Sequence, residues 1–362
     1  RVKILNRMSC RKRRYNLAQV FNSLSSILTE TDKLDFLRSY GNNTLGNVTG
    51  EDELVRQIES QSSRIRNIHY RSRLKRCLKE SSVFSKKRST GMKIFFRKGY
   101  DTNRFAGLIE KHRNALVSVD KAIVMKRDSK TALTRLPLEN KKIQSVVVKQ
   151  YKVSCGVCLI KNIFCNSAGK KAWIAGNGLS VYNFSTPKPL ALMEKKVLGV
   201  TTNSYLVMED VRDCLEMDRY ILKNFHGKSS LSKLKKKRAL INNLAETIGR
   251  MHNQNIFHHD LKTCNIMVKE KGKSPYITFL DFDKVSFGEE IAILKRVKNL
   301  VQMNLSTPKL ISITDRLRFL KEYLRQCSIM DEKKNILREI VNLSKTEKIL
   351  YVSSNGDVTE DW

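Results

Sequence analysis

The chain has 362 residues, enough for two domains or one large one, and 41% of them are hydrophobic, which predicts folded cores and argues against disorder. It has no run of about 18 uncharged apolar residues and no apolar stretch behind its basic start, which argues against a transmembrane helix and a secretory signal. The net charge of +34 predicts a polyanionic partner, such as nucleic acid, anionic lipid or a phosphorylated substrate. The basic residues are spread along the chain, which favours a broadly basic surface over a nucleic-acid-binding arm.

An internal repeat is the first organised feature. Residues 2–40 align without a gap to residues 285–323. Identical residues recur at Lys12 and Lys295, Asn16 and Asn299, Leu17 and Leu300, Gln19 and Gln302, Ser23 and Ser306, Asp32 and Asp315, Phe36 and Phe319, Leu37 and Leu320, and Tyr40 and Tyr323. This pattern indicates a duplication. Because the chain starts with Arg1 and not Met, we expect a fragment or processed product that begins where an earlier copy of the module ends.

The first half of the chain is predicted to form mainly strands. Residues 46–80 predict a basic helical connector, and "VFSKKRSTGMKIFFRKGY" predicts short strands around a glycine turn. Asp101 is a candidate cap for the next helix, and "KAIVMKRDSKTALTRL" predicts two strands around the turn Arg127–Lys130. "IQSVVVKQY" is a β-branched strand that carries Lys149. The cysteines of "CGVCLIKNIFC" lack a second pair for zinc, so we expect reduced thiols.

The second half turns helical. "SAGKKAWIAGNGLSVYNF" predicts a helix, and "TPKPLALME" and "SYLVMED" predict two more strands. From Leu231, apolar residues at three- and four-residue spacing predict an amphipathic helix that stops before "NQNIFHHD". A β-rich half followed by an α-rich half predicts an α+β chain with two lobes and a ligand cleft between them.

Two short motifs carry the chemistry. Asp260 and Asn265 lie in the turn "HHDLKTCN", and the strand-like run "ITFL" delivers Asp281. An amide and a carboxylate can hold Mg²⁺ bound to phosphates, while Asp260 can orient a hydroxyl and accept its proton. Lys262 can neutralise the transferred phosphoryl group, and Lys149 can contact the α/β-phosphates. The sequence therefore predicts phosphoryl transfer.

These motifs resemble those of protein kinases. "HHDLKTCN" is similar to the catalytic loop H-R-D-L-x-x-x-N, "DFD" to D-F-G, and "VVVKQY" to the strand that carries V-A-I-K. The resemblance implies a protein-kinase-like fold in which His258 supports the loop. "YLVMEDV" resembles the hinge, where backbone groups of Glu209 and Val211 would bind the adenine of ATP.

The finer resemblance is to the lipopolysaccharide kinase family, which phosphorylates heptose or Kdo sugars of the lipid A core. "KKAWIAGNGL", "FSTPKPLALME", "HHDLKTCNIMV" and "FLDFDKV" carry it, with Asp283 in the place of the protein-kinase glycine. It covers residues 81–325. It implies ATP, Mg²⁺, an anionic lipopolysaccharide substrate and a cytoplasmic, peripheral location at the inner face of the bacterial inner membrane.

The predicted organisation has five parts. They are a helical remnant of a preceding kinase module at 1–45, the connector at 46–80, the small lobe at 81–211, the large lobe at 212–325, and a C-terminal helical tail at 326–362. An upstream kinase module is therefore an expected partner.

Some features depart from the resemblance and leave alternatives open. The turn at Arg127–Lys130 has no glycine, and no acidic residue lies between Lys149 and Glu194 to orient the lysine, for which Asn177 is a substitute candidate. The leading hypothesis is an ATP-dependent kinase of a lipopolysaccharide-core sugar. These departures are the evidence for an alternative, a pseudokinase that binds lipid or a partner without turnover, and the intact Asp260, Asn265 and Asp281 count against it. A kinase of a protein or another small molecule is a further alternative, although no long activation segment follows Asp283. A nucleic-acid-binding protein ranks last, and we expect no nucleic-acid partner.

Overall fold

The computed structural model describes residues 8–24, 27–40, 50–89, 91–100, 102–118, 123–138, 144–153, 166–198, 200–227, 230–271, 274–347, 351–352 and 358–359. The chain divides into two compact units, Arg1–Arg73 and Leu74–Trp362. Within the described ranges, no helix is long and apolar enough to cross a membrane. The predicted cap Asp101 and the cysteine group at 155–165 lie outside these ranges.

The first unit is helical. Its helices are α1 (Cys10–Leu24), α2 (Glu30–Tyr40) and α3 (Glu51–Leu74). Their apolar faces meet in one core, formed by Leu17, Ala18, Phe21, Leu37, Leu54, Val55, Ile58 and Ile65. An ion pair between Lys33 and Glu59 joins α2 to α3. The described residues between 10 and 40 therefore lie mainly in two helices and in no strand.

The second unit begins with a β-rich lobe. Its strands are β1 (Phe84–Ser89), β2 (Met92–Arg97), β3 (Val124–Arg127), β4 (Thr131–Pro137), β5 (Ser145–Lys152), β6 (Pro189–Val197) and β7 (Val200–Glu209). They form an antiparallel sheet in the order β1-β2-β6-β7-β5-β4-β3. Helix α4 (Thr102–Ser118) packs Phe105, Leu108 and Ile109 into the core of this sheet.

Helix α5 (Ala168–Val181) contacts the sheet and the segment of the acidic triplet, which is Asp281, Phe282 and Asp283. Ser167 caps its first turn by accepting a hydrogen bond from Lys170 N. Its glycines, which lower helix propensity, allow close packing. A Cβ at Gly176 would lie 2.6 Å from Pro189 Cγ and 2.9 Å from Phe282 Cε2. The sequence at Gly176 therefore fixes how near Phe282 lies to the helix.

The rest of the second unit is the helical lobe. Its helices are α6 (Met217–Phe225), α7 (Leu231–Asn253), α8 (Ile293–Ser306), α9 (Ile313–Cys327) and α10 (Lys333–Thr346). Its short strands are β8 (Leu215–Glu216), β9 (Ile256–His258), β10 (Ile266–Lys271), β11 (Ser274–Phe279) and β12 (Val285–Phe287). They pair in the order β11-β10-β8 and as β12-β9. A β-rich lobe is thus followed by a helical lobe, and the predicted fold class is confirmed.

The C-terminal segment departs from the all-helical tail expected at 326–362. After α10 come two short paired strands, β13 (Tyr351–Val352) and β14 (Val358–Thr359). Tyr351 and Val352 are residue types that favour strands, which is the local reason for the difference.

We expect Gly176→Ala to destabilise the second unit by about 1–3 kcal/mol, because the added methyl group collides with Pro189 and Phe282. Gly107→Ala is the matched control, since a Cβ there meets no atom within 4 Å. The control should be neutral or slightly stabilising, because alanine favours helix. Denaturant unfolding of both variants measures the difference. Equal midpoints would contradict the tight packing.

Candidate active site

The loop at 258–265 is held by hydrogen bonds from His258 and from β9. His258 donates from Nε2 to the Leu280 carbonyl at 2.9 Å, and its Nδ1 accepts from Asp260 N at 3.2 Å. The ring is fully buried, and burial lowers the pKa of His258, so the neutral ring that these bonds need is favoured. Strand β9 pairs with β12, and His259 N donates to the Lys284 carbonyl. The loop is therefore fixed to the segment that follows Asp281.

Asp260 lies between two lysines. Its carboxylate is 3.1 Å from Lys262 Nζ and 2.7 Å from Lys284 Nζ. Burial would raise the pKa of Asp260, but the two lysines outweigh that effect and lower it. The carboxylate is therefore ionised at neutral pH. Lys284 was not singled out from the sequence, although it follows the "DFD" triplet directly.

Lys149 lies between two carboxylates. Its Nζ is 2.6 Å from Asp281 Oδ1 and 2.9 Å from Asp283 Oδ1, and the residue is only 8% exposed. Burial would lower the pKa of Lys149, but the negative charges of Asp283 and Asp281 raise it. Burial would likewise raise the pKa of Asp281, and Lys149 lowers it. Lys149 and Asp281 are therefore both charged, and their hydrogen-bonded ion pair offsets the cost of burying the lysine.

Lys149 is oriented by Asp281 and Asp283 in the absence of the usual glutamate. Asn177 does not, because its Oδ1 accepts from Arg97 Nη2 at 2.6 Å and its Nδ2 donates to the Trp173 carbonyl at 2.8 Å. Asp283, in the position where protein kinases have glycine, is one of the two partners of the lysine instead. The missing acid is thus supplied from the far side of the cleft.

Asn265 is joined to the same region by its backbone. Its carbonyl accepts from Leu280 N at 2.8 Å, next to Asp281 in the chain. Its side-chain Nδ2 donates to the Asp260 carbonyl at 2.8 Å, which leaves Oδ1 as the group for other partners. Asp281 itself has φ 51°, in the left-handed region that Asp and Asn adopt most readily among non-glycine residues.

In the described part of the chain, the site offers oxygen ligands for magnesium but no complete set of protein ligands. The described residues hold no group of three or more His, Cys, Asp or Glu side chains that could by itself bind a metal ion. Asp281, Asp283 and Asn265 offer carboxylate and amide oxygens, the hard ligands that magnesium takes together with water and substrate phosphates. The donor set therefore fits magnesium that arrives with a nucleotide, and it does not form an all-protein metal cage.

The hinge residues lie at the end of β7. Glu209 N donates to the Lys188 carbonyl, and half-buried Val211 follows two residues later. Between them, the Asp210 carboxylate accepts from Ser145 Oγ at 2.7 Å and is 3.0 Å from Arg135 Nε. This anchor, which the sequence did not reveal, holds the connection between the two lobes.

The turn between β3 and β4 carries Asp128 in the place where protein kinases have a glycine-rich loop. Asp128 Oδ1 accepts from Lys130 N at 2.8 Å and from Thr131 N at 2.6 Å. Burial would raise the pKa of Asp128, but these backbone bonds and Thr131 Oγ1 lower it. The backbone N–H groups of this turn are thus engaged by the protein's own carboxylate.

Helix α8 supports the loop from below. Asn299 donates to the His258 carbonyl at 2.8 Å, and Gln302 donates to the His259 carbonyl and accepts from Leu261 N, each at 3.1 Å. Ser306 Oγ accepts from Thr263 N at 3.0 Å. The identical residues of the internal repeat carried this signal, but their role could not be read from one sequence.

A buried histidine completes this support. His252 bonds to Tyr323 Oη at 2.8 Å through Nδ1 and to Asn299 Oδ1 at 3.0 Å through Nε2. Burial lowers the pKa of His252 to about 4, from 6.5. The histidine is therefore a neutral core residue that holds Asn299 in place.

We expect stability to fall as the pH drops from 6.5 towards 4. In this window His252 binds a proton in the unfolded chain but not in the folded one, so each pH unit costs about 1.4 kcal/mol. Denaturant unfolding at pH 7.5 and 5.0 measures the change. His252→Gln, which cannot titrate, should flatten the dependence. An equally steep slope in that variant would show that other groups cause it.

In chain order, the second unit has a lysine-bearing strand, a helix, two strands, a hinge, helices, a loop with Asp260 and Asn265, and the acidic triplet. This is the order of a protein-kinase-like fold. Residues 176–323 match the model of the Lipopolysaccharide kinase (Kdo/WaaP) family, which confirms the resemblance predicted from the sequence. The match includes Asp260 and Asp281, and Lys149 precedes it. It supports a phosphotransferase of the lipopolysaccharide kinase type.

Comparison with other proteins adds two remote likenesses. A search of curated proteins finds no match. A structure of WaaP in complex with acyl carrier protein is similar over 63% of this chain and 91% of its own, with 16% identity and a TM-score of 0.46. The kinase domain of Mycobacterium tuberculosis PknI, as a double mutant, is similar over 62% and 93%, with 11% identity and a TM-score of 0.36. Likenesses this remote carry no argument about individual residues.

Proposed function

We propose that this protein is an ATP-dependent kinase that transfers the γ-phosphoryl group to a hydroxyl of a lipopolysaccharide inner-core sugar, Kdo or heptose. One observation carries the proposal: Lys149 from the β-rich lobe forms ion pairs with Asp281 and Asp283, beside the loop of Asp260 and Asn265. Three lysines and three aspartates alternate there, with Lys284 between Asp260 and Asp281 at 2.7 and 3.8 Å. The match of residues 176–323 to the lipopolysaccharide kinase model supports the proposed substrate class.

Each side chain has a role in this proposal. Asp260, kept ionised by its lysines, orients the acceptor hydroxyl and takes its proton. Lys262 and Lys284 offset negative charge that develops at the transferred group. Asn265 and Asp281 would hold magnesium, which would neutralise the negative charge of the phosphates. Lys149 contacts the phosphates, while Glu209 and Val211 present backbone groups to the adenine.

The basic surface fits an anionic substrate held in a membrane surface. Part of it is structural, since Lys237 forms an ion pair with Asp315 at 2.6 Å and Lys236 with Glu270 at 2.5 Å. Lys235 and Arg238, on the same helix, are exposed. We therefore assign these exposed positions to contacts with anionic headgroups at the inner face of the inner membrane, where the protein would act as a peripheral enzyme.

The test is transfer of labelled phosphate from ATP, with Mg²⁺, to deep-core lipopolysaccharide acceptors. We expect label on a core sugar with the wild-type protein and a loss of at least about a hundredfold in Asp260→Asn and Asp281→Asn. Asparagine keeps the side-chain size at both positions and suits the left-handed backbone at 281. Asp331→Asn, at an exposed position, is the matched control and should retain full activity.

The other outcomes separate the alternatives. Nucleotide binding without transfer to any acceptor would contradict a kinase and favour a pseudokinase, for which the engaged turn at Asp128 would be the explanation. Label on protein but not on sugar would contradict the substrate class. Activity that persists in Asp260→Asn would contradict the assigned base.

A further inference from the structure

Helix α1 of the first unit has the same polar face that α8 uses to hold the catalytic loop. In the second unit, Asn299, Gln302 and Ser306 are buried because they bond to the main chain at 258, 259, 261 and 263. This face therefore has a defined ligand, which is a loop of protein backbone with its carbonyl and N–H groups presented in a fixed order.

The repeat places Asn16, Gln19 and Ser23 at the same positions of α1, and all three are exposed. Their local geometry is also the same. Ser23 Oγ donates to the Gln19 carbonyl at 2.9 Å, as Ser306 Oγ does to the Gln302 carbonyl at 2.7 Å. The face is thus preserved in identity and in backbone geometry, but here it is open to solvent.

The helices that carry the two faces also correspond. α1 and α2 begin at Cys10 and Glu30, the positions that align with the starts of α8 and α9 at Ile293 and Ile313. Asp32 N donates to Thr29 Oγ1 at 3.2 Å, and Asp315 N donates to Ser312 Oγ at 3.2 Å. The first turns of α2 and α9 are therefore closed by the same cap.

The aromatic residues at the ends of the two pairs match as well. The rings of Phe36 and Tyr40 stack at 6.2 Å and 16°, and those of Phe319 and Tyr323 at 6.4 Å and 10°. Tyr323 is fully buried, whereas Tyr40 is 41% exposed. The first unit therefore resembles the α8–α9 part of the helical lobe. The surface that the rest of the lobe covers in the second unit is exposed in the first.

An open groove of about 1750 Å³ runs along this surface. Asn16 and Gln19 line it on α1, and Gln57, Gln61 and Arg64 line it on α3. Most of the side chains that line it can donate or accept hydrogen bonds, which suits a segment of backbone and polar side chains.

We propose that this groove is the docking surface for the catalytic loop of a second kinase module, encoded upstream in the same polypeptide, and that α1–α3 complete the helical lobe of that module. The loop of another copy of this chain is a poorer occupant, because α8 already holds residues 258–263 with buried bonds. The expected occupant is the loop of a module in which α1 and α2 take the places that α8 and α9 have in the second unit. This inference does not depend on the acceptor sugar.

The test is photo-crosslinking from a probe at position 64. The codon is changed in the chromosomal gene, so that the whole natural polypeptide is made. Arg64→p-benzoylphenylalanine places the probe in the groove and leaves Asn16 and Gln19 intact, and Asp35→p-benzoylphenylalanine places it at an exposed position outside the groove. We expect a crosslink from position 64, and not from 35, to a peptide that carries His-x-Asp and a following Asn from an upstream module. Adding Asn16→Ala and Gln19→Ala should lower the yield about tenfold or more, because the bonds that correspond to the three made by Asn299 and Gln302 are lost.

The other results overturn the proposal. A crosslink to residues 256–266 of a second copy would make the groove a self-association surface. A crosslink to unrelated peptides, or equal yields from positions 64 and 35, would show that the groove does not bind a kinase loop. The readout is docking and not phosphate transfer, so its failure is distinguishable from failure of the proposed activity.

Discussion

The ion pairs that Lys149 makes with Asp281 and Asp283 are the interaction on which the second unit depends. They join strand β5 of the β-rich lobe to the segment after the loop of Asp260, and the lysine itself is largely shielded from water. A buried charge is tolerated only when it is paired, and loss of one partner from such a pair costs about 3–5 kcal/mol. The two carboxylates and the lysine therefore fix each other's positions, and the residues assigned to magnesium and phosphate are arranged before any ligand binds.

The support of this cluster extends in two directions. On one side, Phe282 packs against Gly176 of α5, so that the acidic triplet is set by a close helix contact. On the other, His258, Asn299 and Gln302 hold the loop of Asp260 by its backbone. Because the loop of Asp260 is held through its main chain, its geometry does not depend on what its side chains contact. Those side chains can therefore exchange partners when substrate binds.

Much of this could be predicted from the sequence, because order along the chain is a strong signal for this fold. The motifs around Lys149, Asp260 and Asp281 predicted both lobes and brought the right segments together. What the sequence could not reveal was pairing across the fold. Asp283 as a partner of Lys149 depends on how the two lobes meet, and Lys284 as a partner of Asp260 depends on the pairing of β9 with β12. The helix α5 was predicted, but the reason for its glycines is a tertiary contact that no local helix propensity reveals. The shared face of α1 and α8 was visible as identical residues, but its meaning required the loop to be seen bound to one copy.

The central claim is that Asp283 replaces the missing glutamate as a partner of Lys149. Its most direct test is the affinity for ATP with Mg²⁺, measured by titration calorimetry, in Asp283→Asn beside the exposed control Asp213→Asn. The account predicts that Asp283→Asn weakens binding by at least about tenfold, since a charge-assisted bond to the lysine and a candidate metal ligand are lost together, while the control binds as the wild type does. Unchanged affinity in Asp283→Asn would contradict the account.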